Sequence, residues 1–178
     1  MDHVKRVKRE LVYTGSILKF YKDTVETPDG RTAEWDYIGH KGAAAVLPVT
    51  EDGKLILVRQ YRNALDRLTL EIPAGARNDP EEPTIACAFR ELEEETGYKA
   101  EKLEFLITLR TAVAFCDELI DVYVATGLTP GEQHLDEDEY VEVEVYTVEQ
   151  LTAMILDGTI QDAKTVAAIM SYKAKSGK

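Results

Sequence analysis

The 178-residue sequence is poor in the residues and segments on which several classes of protein depend. Its two cysteines, Cys87 and Cys116, follow no repeated pattern, so we expect two reduced thiols rather than a disulfide bond. No apolar run approaches the length of a membrane span, and the N-terminus MDHVKRVKRE lacks the apolar core of a signal peptide. These absences predict a cytoplasmic protein.

Positive charge is also in deficit. The sequence has 21 lysines and arginines but 33 aspartates and glutamates, so the formal net charge is −12. This charge repels polyanions, which argues against a nucleic-acid polymer or an anionic membrane as the partner. A small phosphate compound can still bind locally where metal ions bridge it to acidic side chains. The composition is therefore compatible with a small phosphate ligand.

Acidic residues are concentrated between Ile72 and Tyr98, around a segment with the periodicity of a helix. The apolar residues that recur there at three- and four-residue steps are Ile85, Ala86, Phe89 and Leu92. Pro83 suits the first position of a helix, and Gly97 suits the left-handed residue that ends one. The pattern predicts a helix from about Pro83 to Thr96.

On such a helix Glu91 and Glu95 lie one turn apart on the same face, roughly 6 Å along the axis, with Glu94 beside them. Clustered carboxylates repel one another unless a cation intervenes, and oxygen ligands favour Mg²⁺, or Mn²⁺ in its place, over Zn²⁺. Arg90 precedes Glu94 by one turn and is expected to pair with it. An acidic helix can also be a solvated surface, but a surface needs no fixed order of arginine, glutamate and glycine. We therefore predict a magnesium site.

The run RELEEETGY, residues 90–98, resembles the second half of the box that marks the Nudix hydrolases. Glu82 stands at the family's distance before Arg90. The spacing from Gly75 to Glu82 is one residue longer than in the family, so either the loop carries an extra residue or Glu81 takes the family's position. We favour Glu82, because a loop absorbs an insertion at small cost, whereas a shift along the helix changes its phase.

The resemblance covers nearly the whole chain and is to the ADP-ribose pyrophosphatase branch of the family. It implies an α/β class protein with the Nudix fold, an α/β/α sandwich with a mixed β-sheet, in residues 41–178. Residues 1–40 are expected to form an N-terminal antiparallel β-hairpin or sheet used in dimerisation, after a frayed basic start in residues 1–10. The implied assembly is a homodimer.

The rest of the chain has the pattern of strands followed by two helices. Strands are expected over residues 42–49 and 54–60, joined as a hairpin by Glu51-Asp52-Gly53, and over residues 103–111, 119–125 and 140–143. Residues 68–74 lead into the box. A capping box from Thr147 to Gln150 predicts a helix from Val148 to Asp157, and Asp162 can cap a last helix from Ala163 to Lys173.

The resemblance also implies the residues that bind phosphate and metal. The segment Val58 to Arg62 resembles the family's segment before the pocket, where the second arginine contacts phosphate. Arg62 is therefore the stronger candidate for the pyrophosphate and Arg59 the weaker. The branch also binds metal through a backbone carbonyl before the box glycine, which here is that of Ala74. The implied metal ligands are Ala74, Glu91, Glu94 and Glu95.

Three further residues are candidates for contact with the substrate. Glu71 fits a place in the pocket and an ordinary place in a strand equally well. Trp35, the only tryptophan, resembles in position an aromatic residue that stacks on adenine in some relatives, although a lone tryptophan is more often a core or interface anchor. Glu118 ends the pair Asp117-Glu118, which resembles the family, and is assigned to substrate binding.

For proton transfer, the family carries a glutamate on a mobile loop after the box. The acidic segment DEDEYVEVE, residues 136–144, offers Glu137 and Glu139, although by composition alone it is a solvated loop. We favour Glu139, because the residues after it alternate as a strand and leave it at the end of the loop. With Arg90 holding Glu94, the implied reaction is direct attack of water on a metal-bound diphosphate, without a covalent intermediate.

The favoured activity is hydrolysis of ADP-ribose to AMP and ribose 5-phosphate. Where typical members of the branch carry a Ser-Pro-Gly-like turn, this sequence has Val113 and Ala114. That difference favours, as the alternative, another nucleoside diphosphate sugar such as ADP-glucose or GDP-mannose. A Nudix module that senses a nucleotide without turnover is a further hypothesis, but all the carboxylates of the box are present.

Overall fold

A computed structural model describes residues 3–16, 18–135, 137 and 139–177. The chain divides into two compact units, Met1–Gly42 with Arg110–Leu119, and Ala43–Leu109 with Ile120–Lys178. The sequence does not reveal that the segment 110–119 belongs with the N-terminal residues, and the boundary between residues 40 and 41 stays a prediction. No helix within the described ranges has both the length and the apolar character needed to cross a membrane.

The N-terminal unit contains a three-stranded antiparallel sheet in the order β1-β2-β3. Its strands are β1 Lys5–Thr14, β2 Lys19–Glu26 and β3 Thr32–Gly39. Arg9 of β1 donates to both carboxylate oxygens of buried Asp23 at 2.7 and 2.6 Å, and its guanidinium lies over the ring of Tyr37. The prediction of a frayed start is therefore wrong from Lys5 onward, because strand pairing and this ion pair order the chain.

The second unit is built on two sheets. A four-stranded sheet has the order β7-β4-β9-β8, in which β4 pairs with β9 in parallel and with β7 antiparallel, and a three-stranded antiparallel sheet has the order β10-β5-β6. The strands are β4 Ala43–Pro48, β5 Leu55–Arg62, β6 Arg67–Glu71, β7 Ala74–Ala76, β8 Tyr98–Arg110, β9 Leu119–Pro130 and β10 Val141–Tyr146.

The predicted pairing of the strands on either side of residues 51–53 is wrong. The turn after β4 forms, with Thr50 N donating to Lys54 O at 2.9 Å, but β4 and β5 enter different sheets and share only the bridge from Val49 to Leu55. Residues 68–74, which lead into the box, are divided between β6 and β7. Pro73 lies at the division, where it has no N–H to donate to a ladder and its carbonyl accepts from Val46 N at 2.9 Å.

The described residues hold three helices, α1 Thr84–Thr96, α2 Val148–Leu156 and α3 Ala163–Ser176. Strand β4 is buried along its whole length. Alternate β4 residues enter different cores: Ala45 and Leu47 pack in the cluster of α2 and α3, whereas Ala44 and Val46 pack in the cluster of α1. Helices therefore cover both faces of the mixed sheet, which confirms the predicted α/β/α sandwich.

Candidate active site

Helix α1 begins and ends close to the predicted positions. Pro83 is the N-cap, and Gly97 ends the helix in the left-handed conformation at φ 73°, donating its N–H to Glu93 O at 2.8 Å. Cys87 of this helix is fully buried and faces the core. Glu91 and Glu95 follow Cys87 by one and two turns, so the helix carries both carboxylates inward, and they are 8% and 4% exposed.

The backbone of β7 lies against these two carboxylates. A Cβ added at Gly75 would overlap the carboxylate of Glu91, so the close approach depends on the missing side chain. The N–H of Ala74 donates to Glu95 Oε2 at 3.2 Å. Three of the predicted metal ligands, Ala74, Glu91 and Glu95, therefore meet where α1 packs on β7.

Arg90 joins the acidic side chains of the box. Its Nη1 donates to Glu91 Oε1 at 2.6 Å and to Glu94 Oε2 at 2.8 Å, and its Nη2 donates to the carbonyl oxygen of Ala76 at 3.1 Å. Its Nε lies 3.4 Å from Glu82 Oε1. The predicted pairing of Arg90 with Glu94 is present, and it is Glu82 that the structure places beside the arginine.

Glu91 and Glu95 are costly to ionise in this environment. Burial raises the pKa of Glu91 to about 7, although the charge of Arg90 opposes the rise. Burial, together with the neighbouring charge of Glu91, raises the pKa of Glu95 to about 8, although the Ala74 N–H and the charge of Arg62 oppose the rise. A cation bound between them would relieve this penalty.

The donor set fits a hard divalent cation, since it consists of carboxylate oxygens and a backbone carbonyl. No three acidic, histidine or cysteine side chains in the described part of the chain are already placed to hold an ion. The guanidinium of Arg90 engages one oxygen of Glu91 and one of Glu94.

Arg62, the predicted pyrophosphate ligand, ends β5 and is held by Glu71 of β6. Its Nε and Nη2 donate to the two carboxylate oxygens of Glu71 at 2.8 and 2.7 Å. Burial dominates the raised pKa of Glu95, and the charge of Arg62 works against that rise. The Arg62 guanidinium thus lies within electrostatic reach of a predicted metal ligand, which supports it as a contact of metal-bound phosphate.

Arg59 has less support as a phosphate ligand. It precedes Arg62 by three residues in the regularly paired strand β5, and side chains an odd number apart in a strand point to opposite faces. Its guanidinium pairs with Glu144 of β10, with Nη2 3.2 Å from Oε2. The structure therefore brings Arg62, rather than Arg59, to Glu71.

Two residues of the Arg62 cluster were not assigned by sequence reasoning. The sequence left Glu71 undecided, but its side chain is 3% exposed and bonded to Arg62, Thr69 and Lys164. Lys164 had no predicted role. It lies in the segment QDAKT, residues 161–165, two residues after the predicted cap Asp162.

The two loop glutamates lie in the segment after β9. Glu137 and Glu139 are both exposed, while Asp136 and Asp138 lie outside the described residues. Burial is the largest cause of the raised pKa values of Glu91 and Glu95, and the charge of Glu139 is one of the smaller causes. Glu139 is thus within electrostatic reach of both carboxylates. The preference for Glu139 over Glu137 stays a prediction. The role of Glu139 as proton acceptor also stays a prediction.

Trp35 and Glu118 belong to the N-terminal unit. Trp35 lies on β3 opposite Asp23 of β2 and is 51% exposed. Glu118 accepts a hydrogen bond from Thr111 Oγ1 at 2.5 Å and lies 3.6 Å from His40 Nδ1. Contact of either residue with a substrate stays a prediction.

The segment that replaces the Ser-Pro-Gly-like turn is attached to β3. Ile38 N donates to Phe115 O at 2.7 Å. Asp117 accepts from His40 N at 2.9 Å and from the hydroxyl of Tyr37. These hydrogen bonds hold the segment on the sheet of the N-terminal unit.

Comparison with known proteins identifies the family. A NUDIX domain model matches residues 39–169. The chain belongs to the NUDIX domain family. This match covers the predicted box and confirms the family inferred from it.

Two curated relatives resemble the chain over nearly its full length. A methanol dehydrogenase activator of Bacillus methanolicus is 41% identical over 167 residues, which are 93% of this chain and 90% of the relative. An ADP-ribose pyrophosphatase of Bacillus subtilis (strain 168) is 40% identical over 173 residues, 96% of this chain and 93% of the relative. A crystal structure of an ADP compounds hydrolase matches with a TM-score of 0.86 over 98% of this chain and 94% of that one, at 22% identity, which confirms the Nudix fold.

Proposed function

We propose that this Nudix hydrolase cleaves the pyrophosphate bond of a nucleoside diphosphate sugar, with ADP-ribose as the favoured substrate. The observation that carries the proposal is the pair of buried carboxylates, Glu91 and Glu95, against β7 and within electrostatic reach of Arg62. Buried acids that need a cation, next to a held arginine, suit a metal-bound diphosphate. The similarity to the B. subtilis ADP-ribose pyrophosphatase supports the choice of substrate.

Nudix hydrolases use divalent metal ions, and we propose Mg²⁺ here, with Mn²⁺ as a substitute. The residues that would hold it are Ala74, through its carbonyl, and Glu91, Glu94 and Glu95. When bound, Mg²⁺ neutralises phosphate charge and acidifies a water molecule. Arg90 keeps Glu94 oriented.

In the proposed reaction Arg62 binds and orients the diphosphate, and Glu139 accepts a proton from the attacking water. The water oxygen forms a bond to one phosphorus while the bond from that phosphorus to the bridging oxygen breaks. The bridging oxygen leaves on the second phosphate, so ADP-ribose yields AMP and ribose 5-phosphate. No side chain forms a covalent bond to the substrate.

Initial rates in Mg²⁺ with ADP-ribose, ADP-glucose, GDP-mannose and UDP-glucose test the substrate. We expect the highest kcat/KM for ADP-ribose. A higher value for another sugar would instead support the alternative substrates and would direct attention to Val113 and Ala114, which replace the Ser-Pro-Gly-like turn.

A regulatory role is the second candidate, and the similarity to the B. methanolicus methanol dehydrogenase activator favours it. We rank hydrolysis first because the carboxylates of the box are all present. Binding of ADP-ribose without release of AMP, and without hydrolysis of the other sugars, would reverse that order and favour a nucleotide-sensing module.

We also propose that the protein is a homodimer formed through its N-terminal sheet. Strand β1 exposes the apolar side chains of Val7, Leu11, Val12 and Tyr13, which are 63%, 56%, 57% and 64% exposed. Large apolar side chains exposed together on one strand are commonly covered by a partner. The cytoplasmic location remains a prediction from the sequence.

A further inference from the structure

We propose that Lys164 is a positioning residue for Arg62 and acts through the buried carboxylate of Glu71. The inference rests on the proposed function, since it concerns how Arg62 is presented to a diphosphate. It adds to the site a residue of α3, which lies 93 positions after Glu71 in the chain.

Each oxygen of the Glu71 carboxylate has two donors. Oε1 accepts from Arg62 Nε at 2.8 Å and from Thr69 Oγ1 at 2.6 Å. Oε2 accepts from Arg62 Nη2 at 2.7 Å and from Lys164 Nζ. Thr69 therefore holds Oε1 and Lys164 holds Oε2, in addition to Arg62. Rotation of the carboxylate would break at least one of these two bonds.

Lys164 is itself fixed by the start of α3. Its ammonium lies 3.1 Å from Asp162 Oδ2, and the same oxygen accepts the capping hydrogen bond from Thr165 N at 3.0 Å. The side chain of Lys164 is 11% exposed. A helix terminus therefore holds the ammonium against Glu71.

Arg62 differs from both partners in reaching the surface. Its side chain is 40% exposed and lines a cleft of about 470 Å³, together with Glu71 and Lys164. Glu71 engages two of the five N–H donors that a guanidinium carries, which leaves three for a ligand. An unrestrained arginine would lose rotamer entropy on binding, whereas one held by a fixed carboxylate has already lost it.

The Lys164→Met variant tests the inference. Loss of the ammonium leaves Oε2 of Glu71 with Arg62 as its partner and removes the bond that holds this oxygen to α3. The carboxylate can then move together with Arg62, so we expect KM for ADP-ribose to rise about tenfold with a smaller change in kcat. Lys164→Arg, which keeps a donor and the charge, should restore most of the affinity. Lys173→Met is the matched control, since it removes one lysine charge from the same helix, and its KM should equal that of the unmodified protein.

A double-mutant cycle separates positioning from a structural role. If Lys164 acts through Arg62, Lys164→Met will not change KM in the Arg62→Ala background. A KM increase of the same size in that background, an equal increase in Lys173→Met, or an unchanged KM in folded Lys164→Met would each overturn the inference. Thermal unfolding of every variant identifies those that are folded.

Binding of ADP in the presence of Mg²⁺, measured by calorimetry, keeps the two proposals apart. Absence of turnover by the unmodified chain would overturn the proposed function. The Kd for ADP then tests Lys164 without catalysis: a Kd about tenfold weaker in Lys164→Met, but not in Lys173→Met, supports the positioning role. An unchanged Kd overturns it.

Discussion

The carboxylate of Glu91 lies so close to the backbone of Gly75 that a Cβ on residue 75 would overlap it. Gly75, the first residue of the box, thus lies against Glu91 in the second half of the box. The glycine is needed for the space it leaves, since its φ is not among the positive values of the chain. It allows a buried carboxylate to approach the backbone beside Ala74.

Replacing Gly75 by alanine should therefore displace Glu91. We expect kcat/KM to fall at least tenfold and the free energy of unfolding to fall by about 1–3 kcal/mol, the range for overpacking a filled site. Initial rates in Mg²⁺ and urea unfolding measure the two effects. Gly15→Ala is the control, because a Cβ there meets its nearest atoms at an ordinary 3.4 Å. Full activity in Gly75→Ala would contradict the close approach.

Glu95→Gln should reduce the stabilisation of the fold by Mg²⁺. In the unmodified protein, Mg²⁺ at about 100 times its Kd should raise the free energy of unfolding by about 2.7 kcal/mol relative to a chelated sample. In Glu95→Gln this increase should shrink, and turnover should fall by about 100-fold or more, because a ligand of the ion is lost. Thermal unfolding with and without chelator, and initial rates, measure both.

Glu93→Gln is the matched control for that experiment. It makes the same change of charge on the same helix, but the Glu93 carboxylate pairs with Lys99 at 3.0 Å and is not among the predicted ligands. It should keep the response to Mg²⁺. Undiminished turnover by Glu95→Gln would refute the metal assignment.

The pH dependence of stability should reveal the Glu71 cluster. Burial alone would raise the pKa of Glu71, but the hydrogen bonds and charges of Arg62 and Lys164 lower it to about 2. A folded pKa below the ordinary value of 4.5 means that the stabilisation is complete above about pH 4.5 and is lost as the pH falls toward 2. Glu71→Gln should therefore cost about 3 kcal/mol near pH 7, and this difference should shrink in acid.

Urea unfolding of the unmodified protein and Glu71→Gln from pH 7 down to about pH 3 provides the measurement. Glu51→Gln, which changes an exposed acid in the turn after β4, should follow the unmodified protein at every pH. A gap between the two Glu71 curves that stays constant as the pH falls would show that the charge of Glu71 does not stabilise the fold.

Leu11→Asp should disrupt the proposed dimer. A charge in the middle of the exposed apolar run of β1 would be buried against the partner, so sedimentation should show a shift from dimer to monomer. Leu156→Asp on α2, where the leucine is 80% exposed, is the control for adding a surface charge and should leave the dimer intact. A monomeric unmodified protein would refute the dimer directly.

The helix with its acidic residues could be predicted from the sequence because its information is local. The spacing of Arg90, Glu91, Glu94 and Glu95 becomes a geometry through the fixed rise and turn of a helix. Gly97 marks its end for a similarly local reason, since the left-handed conformation is cheapest for glycine. The capping box of Thr147 and Gln150 was likewise predicted and is present.

Strand partners could not be predicted in the same way. The turn at residues 51–53 has the residues of a hairpin and does form, yet β4 and β5 separate into two sheets. The apolar sequence of β4 predicts that both of its faces are buried, but any neighbouring strand can satisfy its hydrogen bonds. The observed neighbours, β7 and β9, are set by packing over the whole domain.

The sequence by itself determined the family, the ends of the main helix and the order of carboxylates along it, because each of these depends on residues within a few turns of one another. Only the tertiary structure decided that Gly75 accommodates Glu91, that Arg62 rather than Arg59 meets Glu71, and that Lys164 completes that contact. These contacts join residues distant in the chain. They exist because the two sheets and three helices of the second unit pack against one another. That packing depends on residues from the whole domain and cannot be read from a short stretch of sequence.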